Sequence, residues 1–143
     1  MPLEPITSTN RGEDQTPRFV QTTTVVASPT DNTETIIASL TVSDNASPVV
    51  GIEVIAFAAF TIGTSGSAGN LKIRRTNASG TTICATGLVT AGVWAATQLA
   101  ELVVVGFDTG PTLPGQVYVA TLTITAGAAA STVSGLYLRA MTI

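Results

Sequence analysis

Three of the chain's six cationic residues stand within four positions, at Lys72, Arg74 and Arg75. Such a group can bind an acidic protein surface, because an arginine guanidinium forms paired hydrogen bonds with a carboxylate. It fits nucleic acid poorly, since the whole chain has a net charge of -3 and lacks a broad basic face. We therefore expect these cations to meet carboxylates, within the chain or on a partner protein, and we expect no nucleic-acid partner.

The segment LKIRRT, which carries the cations, has the alternation of a β-strand. Leu71 and Ile73 would face a core, which places Lys72 and Arg74 together on the outer face. Arg75 falls near the strand end, where its side chain can turn to solvent or to the rim of a sheet. Two interpretations stay open: a solvated face with ion pairs worth about 0–1 kcal/mol each, or a contact with an acidic partner.

The other reactive residue types form no catalytic pattern. The chain has no histidine to activate a serine, and its single cysteine, Cys84, stands at a strand position that predicts a small, buried side chain. Glu53 and Glu101 lie in predicted strands, where they could pair with the cations or form the two carboxylates of a glycosidase. Nothing in the sequence brings them together, and zinc ligands are lacking. The sequence predicts a protein that is not an enzyme and holds no metal or cofactor.

The composition indicates a weakly charged surface. Charged residues make up 10% of the 143-residue chain, against roughly 25% in an average soluble protein. A surface of Thr, Ser, Ala and Gly is poorly protected against association, so it is compatible with packing against other subunits. No apolar stretch of about 20 residues occurs, and the first residues lack a basic region followed by an apolar one. We therefore expect neither a membrane contact nor a signal peptide.

The chain divides into two parts. Residues 1–18 hold five of the fifteen charged residues, three prolines and no periodic apolar pattern, which predicts an extended N-terminal arm. From residue 19 to residue 143, segments rich in Val, Ile and Thr alternate with turns rich in Gly, Pro, Asn and Asp, which predicts one β domain. The predicted strands are residues 19–27, 34–42, 49–62, 71–76, 81–86, 97–107, 116–125 and 132–143.

Eight strands without a convincing helix predict an all-β, antiparallel sandwich. Several loops are too long for two-residue hairpins, which favours Greek-key connections. The predicted fold is therefore an eight-stranded, jelly-roll-like sandwich with an extended N-terminal arm. An immunoglobulin-like sandwich is the alternative, although its Cys…Trp…Cys spacing is missing.

This combination of an arm, a sandwich of small residues and an acidic chain resembles the decoration (cement) proteins of tailed bacteriophage capsids. The resemblance covers about a third of the chain, in the stretch PTDNTETIIASLTV…GIEVIAFAAFTIGTSGSAGNLKIRRT. Its elements are a β-branched strand, a long apolar strand, a Gly-Thr-Ser-Gly turn at residues 63–66, and a strand with Leu71, Ile73, Arg74 and Arg75.

The resemblance implies a structural virion protein on the outer surface of an icosahedral capsid, made in the host cytoplasm. It implies a homotrimer that binds the major capsid protein and, through the arm, neighbouring decoration subunits. Partner contacts are then expected from two groups: Pro5, Ile6, Arg11, Arg18 and Phe19 around the arm, and Lys72, Arg74 and Arg75. A receptor- or carbohydrate-binding head of a viral spike or tail is the alternative function.

Overall fold

A computed structural model describes residues 19–30, 32–43, 51–62, 68–87, 98–125 and 131–143. Within this part the chain forms β1 (Phe19–Thr22), β2 (Thr35–Val42), β3 (Ile52–Thr61), β4 (Ala68–Arg75), β5 (Thr82–Ala85), β6 (Leu99–Asp108), β7 (Gln116–Thr125) and β8 (Thr132–Thr142). No helix among these residues is long and apolar enough to cross a membrane.

The eight strands form two four-stranded antiparallel sheets. The first sheet has the order β1-β8-β3-β6, and the second has the order β2-β7-β4-β5. Apart from β4 and β5, strands that follow each other in the chain belong to different sheets, so their connections cross the sandwich. This is the strand order of a jelly roll, which confirms the predicted eight-stranded sandwich and excludes the immunoglobulin-like alternative.

The core lies between the two sheets. It contains the inward-facing residues of both, among them Leu71 and Ile73 of β4 and Val54, Phe60 and Leu138 of the first sheet. All five side chains are fully buried, and burial of a side chain of this size stabilises the fold by about 1.5–3 kcal/mol. Because Leu71 and Ile73 face inward as predicted, the cations between and after them are held on the outer side or at the rim.

Several strand boundaries differ from the prediction by one to five residues, and two of these differences have a clear structural reason. β1 ends at Thr22, five residues early, because the chain then leaves the first sheet: the backbone N–H of Val26 donates to the carbonyl of Ile37 in β2 at 2.8 Å. β4 begins three residues early, at Ala68, which pairs with Thr125 of β7 in a stretch whose small residues predict a loop. Small side chains are suited to this place because the strand is buried there.

Candidate functional site

Lys72 and Arg74 lie on the outer side of the second sheet, and both bind Glu34. Arg74 donates from Nε to Oε1 of Glu34 at 2.7 Å and from Nη2 to Oε2 at 3.1 Å. Lys72 Nζ donates to Oε2 at 3.4 Å, and the Thr121 hydroxyl donates to Oε1 at 2.6 Å. Arg74 Nη1 also donates to the Thr82 hydroxyl at 2.6 Å. These five residues, here the Glu34 cluster, join all four strands of the sheet, because Glu34 directly precedes β2.

The Glu34 cluster holds its carboxylate ionised. The hydrogen bond from Arg74, supported by Thr121 and Lys72, lowers the pKa of Glu34 from 4.5 to about 2, although burial acts in the opposite direction. The same bond raises the pKa of Arg74. At neutral pH the cluster is therefore a fixed network of one acid and two cations, in which the carboxylate has no proton to exchange.

Arg75 joins the two sheets at one end of the sandwich. Its guanidinium, on β4, binds Asp108 at the end of β6 through two bonds: Nε to Oδ2 at 2.8 Å, and Nη2 to Oδ1. The Tyr118 hydroxyl on β7 donates to Oδ2 of the same carboxylate at 2.7 Å. Asp108 is 1% exposed and Tyr118 is fully buried. We call Arg75, Asp108 and Tyr118 the inter-sheet triad, because Asp108 belongs to the first sheet and its two partners to the second.

At Asp108, hydrogen bonds lower the pKa of the carboxyl by more than burial raises it. Burial raises the pKa of this carboxyl, but the bonds from Arg75, Tyr118 and the backbone N–H of Gly110 together hold the pKa below its ordinary value. Burial and the neighbouring carboxylate raise the pKa of Tyr118. The bond from Gly110 N to Oδ1, at 2.9 Å, is the local turn contact that an Asp before a Pro/Gly segment predicts. The contact with Arg75, 33 residues away in sequence, has no such local signal.

The carboxylates expected to pair with the cations lie on the other sheet, so that pairing is wrong. Glu53 lies 3.6 Å from Arg139 of β8, measured from Oε1 to Nη2. In the β3–β6 register Glu53 is opposite Phe107 and Glu101 is opposite Ala59, so the two glutamates are six residues, or about 20 Å, apart. Glycosidase carboxyl groups stand about 5–9.5 Å apart, so these two do not form such a pair.

No group of three or more Cys, Asp or Glu side chains in the described part of the chain is placed to hold a metal ion.

Of the residues expected to contact a partner, Lys72 and Arg74 keep 22% and 16% of their side chains exposed, and an acidic partner would compete with Glu34 for them. Phe19, the first residue of β1, is 62% exposed. The residues Pro5, Ile6, Arg11 and Arg18, the arm at 1–18 and the turn at 63–66 lie outside the described residues. Their partner contacts stay predictions.

Cys84 of β5 packs against the core beside Gly106 of β6. A Cβ at Gly106 would overlap Sγ and Cβ of Cys84, so the glycine lets the two strands approach. Burial raises the pKa of the Cys84 thiol to about 11. A thiol in this state is a poor nucleophile, since the thiolate is the reactive form.

We expect the Cys84 thiol to react slowly in the folded protein. Relative to a pKa of 9.0, a pKa of about 11 lowers the thiolate fraction at pH 8 roughly 100-fold. Modification by Ellman's reagent at pH 8 should be slower by about this factor than in the same chain unfolded in guanidinium chloride. Rates within threefold of each other would contradict the burial described for this thiol.

An exposed apolar stripe lies on the outer face of the first sheet. Leu99, Val103, Val105 and Phe107 point outward from β6, with Glu101 at the outward position between Leu99 and Val103, and we call the four apolar residues the β6 stripe. They are half of the eight exposed large apolar side chains in the described residues. This surface was not predicted, although the run LVVVGF carries a signal: apolar residues occupy successive positions, so both faces of the strand are apolar.

No protein-family profile matches the chain, and neither does any curated protein. Among solved structures, the chain is similar to one described as "Bacillus endospore appendages form a novel family of disulfide-linked pili". The sequences are 17% identical, the match covers 89% of this chain and 83% of that chain, and the TM-score is 0.33.

Proposed function

We propose that this chain is a structural virion protein, a capsid decoration protein that binds the outside of an icosahedral shell and stabilises it. The observation that carries the proposal is the contrast between its two sheets. The cations of the second sheet are engaged by Glu34 and Asp108, whereas the first sheet presents the β6 stripe to solvent. A surface of this kind suits protein–protein contact, because exposed apolar patches commonly mark interaction sites.

The decoration role itself is supported by the sequence resemblance and by the position of the predicted arm. Phe19, where that arm joins the domain, is exposed on the edge strand of the first sheet and is available to a partner. A protein that binds only the assembled shell stabilises it by mass action. An arm contact added to a domain contact increases the overall affinity, because the second contact becomes intramolecular.

The alternative, a receptor- or carbohydrate-binding head, would be favoured by an exposed aromatic pair in a groove. Among the described residues, the two most exposed aromatic side chains are Phe19 and Phe107. They stand on β1 and β6, at opposite edges of the first sheet. Three strand spacings, about 14 Å, separate them, which is too far for both to stack on one sugar.

Co-sedimentation with capsids tests the proposal. The full-length chain and a chain starting at Arg18 are each mixed with purified capsids of the source virus, and their masses in solution are measured by light scattering. We expect a homotrimer whose full-length form pellets with capsids and whose truncated form binds at least tenfold more weakly. Circular dichroism verifies that the truncated chain is folded. A full-length protein that stays in the supernatant at every ratio would overturn the decoration role.

A further inference from the structure

The exposed apolar surface of the first sheet extends beyond β6. Val103 and Val105, 60% and 58% exposed, are opposite Phe57 and Ile55 in the register with β3. Phe57 is in turn opposite Tyr137 on β8. The β6 stripe is thus the most exposed part of an apolar surface that runs over three neighbouring strands.

Covering this surface requires face-on packing. β6 is an edge strand, so another strand could pair with its free edge. Such pairing would satisfy backbone groups and leave the outer side chains in water, because strand side chains stand perpendicular to the sheet. Only a surface laid over the sheet face removes Val103 and Val105 from solvent.

The arm of the same chain is poorly suited to cover this face. Residues 1–18 include only three large apolar side chains, Met1, Leu3 and Ile6, and the twelve residues that follow contain none. The arm also joins the domain at Phe19 on β1, the edge strand opposite β6. Twelve polar or small residues would have to lie nearest the apolar surface, which offers no hydrophobic gain.

The charges on the face are complementary to a second copy. Glu53 and Arg139 lie side by side on it, and Glu101 is exposed on the same side of β6, so the face offers two acids and one base rather than a single sign. A second copy brings the same pair, so Glu53 of one copy can accept from Arg139 of the other.

The size of the face is also adequate. The three long strands and the short β1 span roughly 34 Å by 14–19 Å, or about 550 Å² in projection, at about 3.4 Å per residue and 4.8 Å per strand. Protruding side chains raise the accessible area above the projection. The accessible area of the face therefore approaches the roughly 800 Å² that each partner buries in a standard protein–protein interface.

We propose that copies of this chain associate through the outer face of the first sheet, with the β6 stripe of one copy packed on the first sheet of a second copy. The proposal rests on the proposed function in one respect, that this surface serves protein–protein contact. It names the partner at that surface as the chain itself.

Sedimentation velocity on the full chain tests this with two matched variants. V103E places a charge in the β6 stripe, and T41E places the same charge at an exposed position of β2, on the other sheet. Both sites are exposed in the single chain, so both variants should fold with the wild-type circular dichroism spectrum. We expect wild type and T41E to associate, and V103E to dissociate with a dissociation constant raised about 100-fold or more. A wild-type monomer at all concentrations, or a V103E variant that associates like wild type, overturns the proposal.

A mixing experiment identifies the partner as a second copy. With Glu101 on the same face, R139E leaves three acids and no base, and E53R leaves two adjacent bases and one acid. Like charges would then meet where Glu53 and Arg139 meet in wild type, so each variant alone should be monomeric at concentrations where wild type associates. Mixed in equal amounts, they should form a two-chain complex that contains one copy of each variant, whether wild type assembles as a dimer or as a trimer. A mixture that stays monomeric overturns the proposal.

Capsid binding is measured separately on the same samples. If wild type associates through this face but does not bind capsids, the decoration role is wrong, and the proposal of association through the first sheet is supported. If wild type binds capsids but is monomeric at all concentrations, the proposal of association through the first sheet is wrong, and the decoration role is supported.

Discussion

The variant D108A is expected to be less stable than wild type by about 3–5 kcal/mol in free energy of unfolding, because it removes the buried carboxylate that binds the partly exposed Arg75 and leaves the buried Tyr118 hydroxyl without this acceptor. Asp108 accepts both bonds of the Arg75 guanidinium and the bond from the Tyr118 hydroxyl. Without the Asp108 carboxylate, the fully buried Tyr118 hydroxyl loses its acceptor, Oδ2 of Asp108. The two sheets also lose their ion pair at this end of the sandwich. Urea unfolding followed by circular dichroism measures the difference.

Y118F is the matched comparison. It removes one hydroxyl and leaves an apolar ring of the same shape, while Asp108 keeps its bonds from Arg75 and Gly110. We expect a smaller loss of about 1.5 kcal/mol, at the lower end of the range for a hydrogen bond to a charged group, because the carboxylate stays satisfied by its other donors. Equal losses in Y118F and D108A would show that the carboxylate contributes nothing beyond its bond to the tyrosine.

Acid is expected to destabilise the protein strongly between about pH 5 and pH 2. The pKa of Glu34 is about 2 in the folded chain against 4.5 as its ordinary value, so its contribution is complete above pH 4.5 and is lost as pH falls through 2. The shift corresponds to at most about 3 kcal/mol, since each unit is worth roughly 1.4 kcal/mol. Urea unfolding at a series of pH values, at a concentration where light scattering shows a single chain, measures the loss.

The variant E34Q separates this contribution from the others. It should be less stable than wild type at pH 7 and should lose less stability on acidification, with the remaining loss arising from Asp108, whose pKa is also lowered. E101Q, which removes an exposed carboxylate from the first sheet, should keep the wild-type profile. An E34Q profile parallel to that of wild type would mean that the Glu34 cluster does not determine acid stability.

The strand positions could be predicted because they depend on local pattern. The alternation around Leu71 and Ile73 places both in the core, and the segment at 116–125 is a strand over its whole predicted length. The end of β1 could not be found in this way. The chain passes from the first sheet to the second near Val26 without any change in its β-branched composition.

The partners of the cations could not be predicted, because they depend on which strands meet. Glu34 is 40 residues from Arg74 in sequence, and it reaches Arg74 only because β2 and β4 both flank β7. Asp108 and Arg75 likewise meet only through the fold, because they belong to different sheets. Glu53 and Glu101 were equally plausible partners in sequence, and only the sheet order excludes them.

The strand order has a consequence for the time at which the protein can fold during synthesis. The strands that complete the two sheets are the last to be synthesised: β8 lies between β1 and β3, and β7 lies between β2 and β4. Ile52 must find Thr142, ninety residues further along the chain, before the first sheet is complete. Closing such long loops makes folding slow, on the order of milliseconds to seconds. The nascent chain therefore exposes unpaired strands until residues 132–142 have left the ribosome, and that interval is when it most needs protection from aggregation.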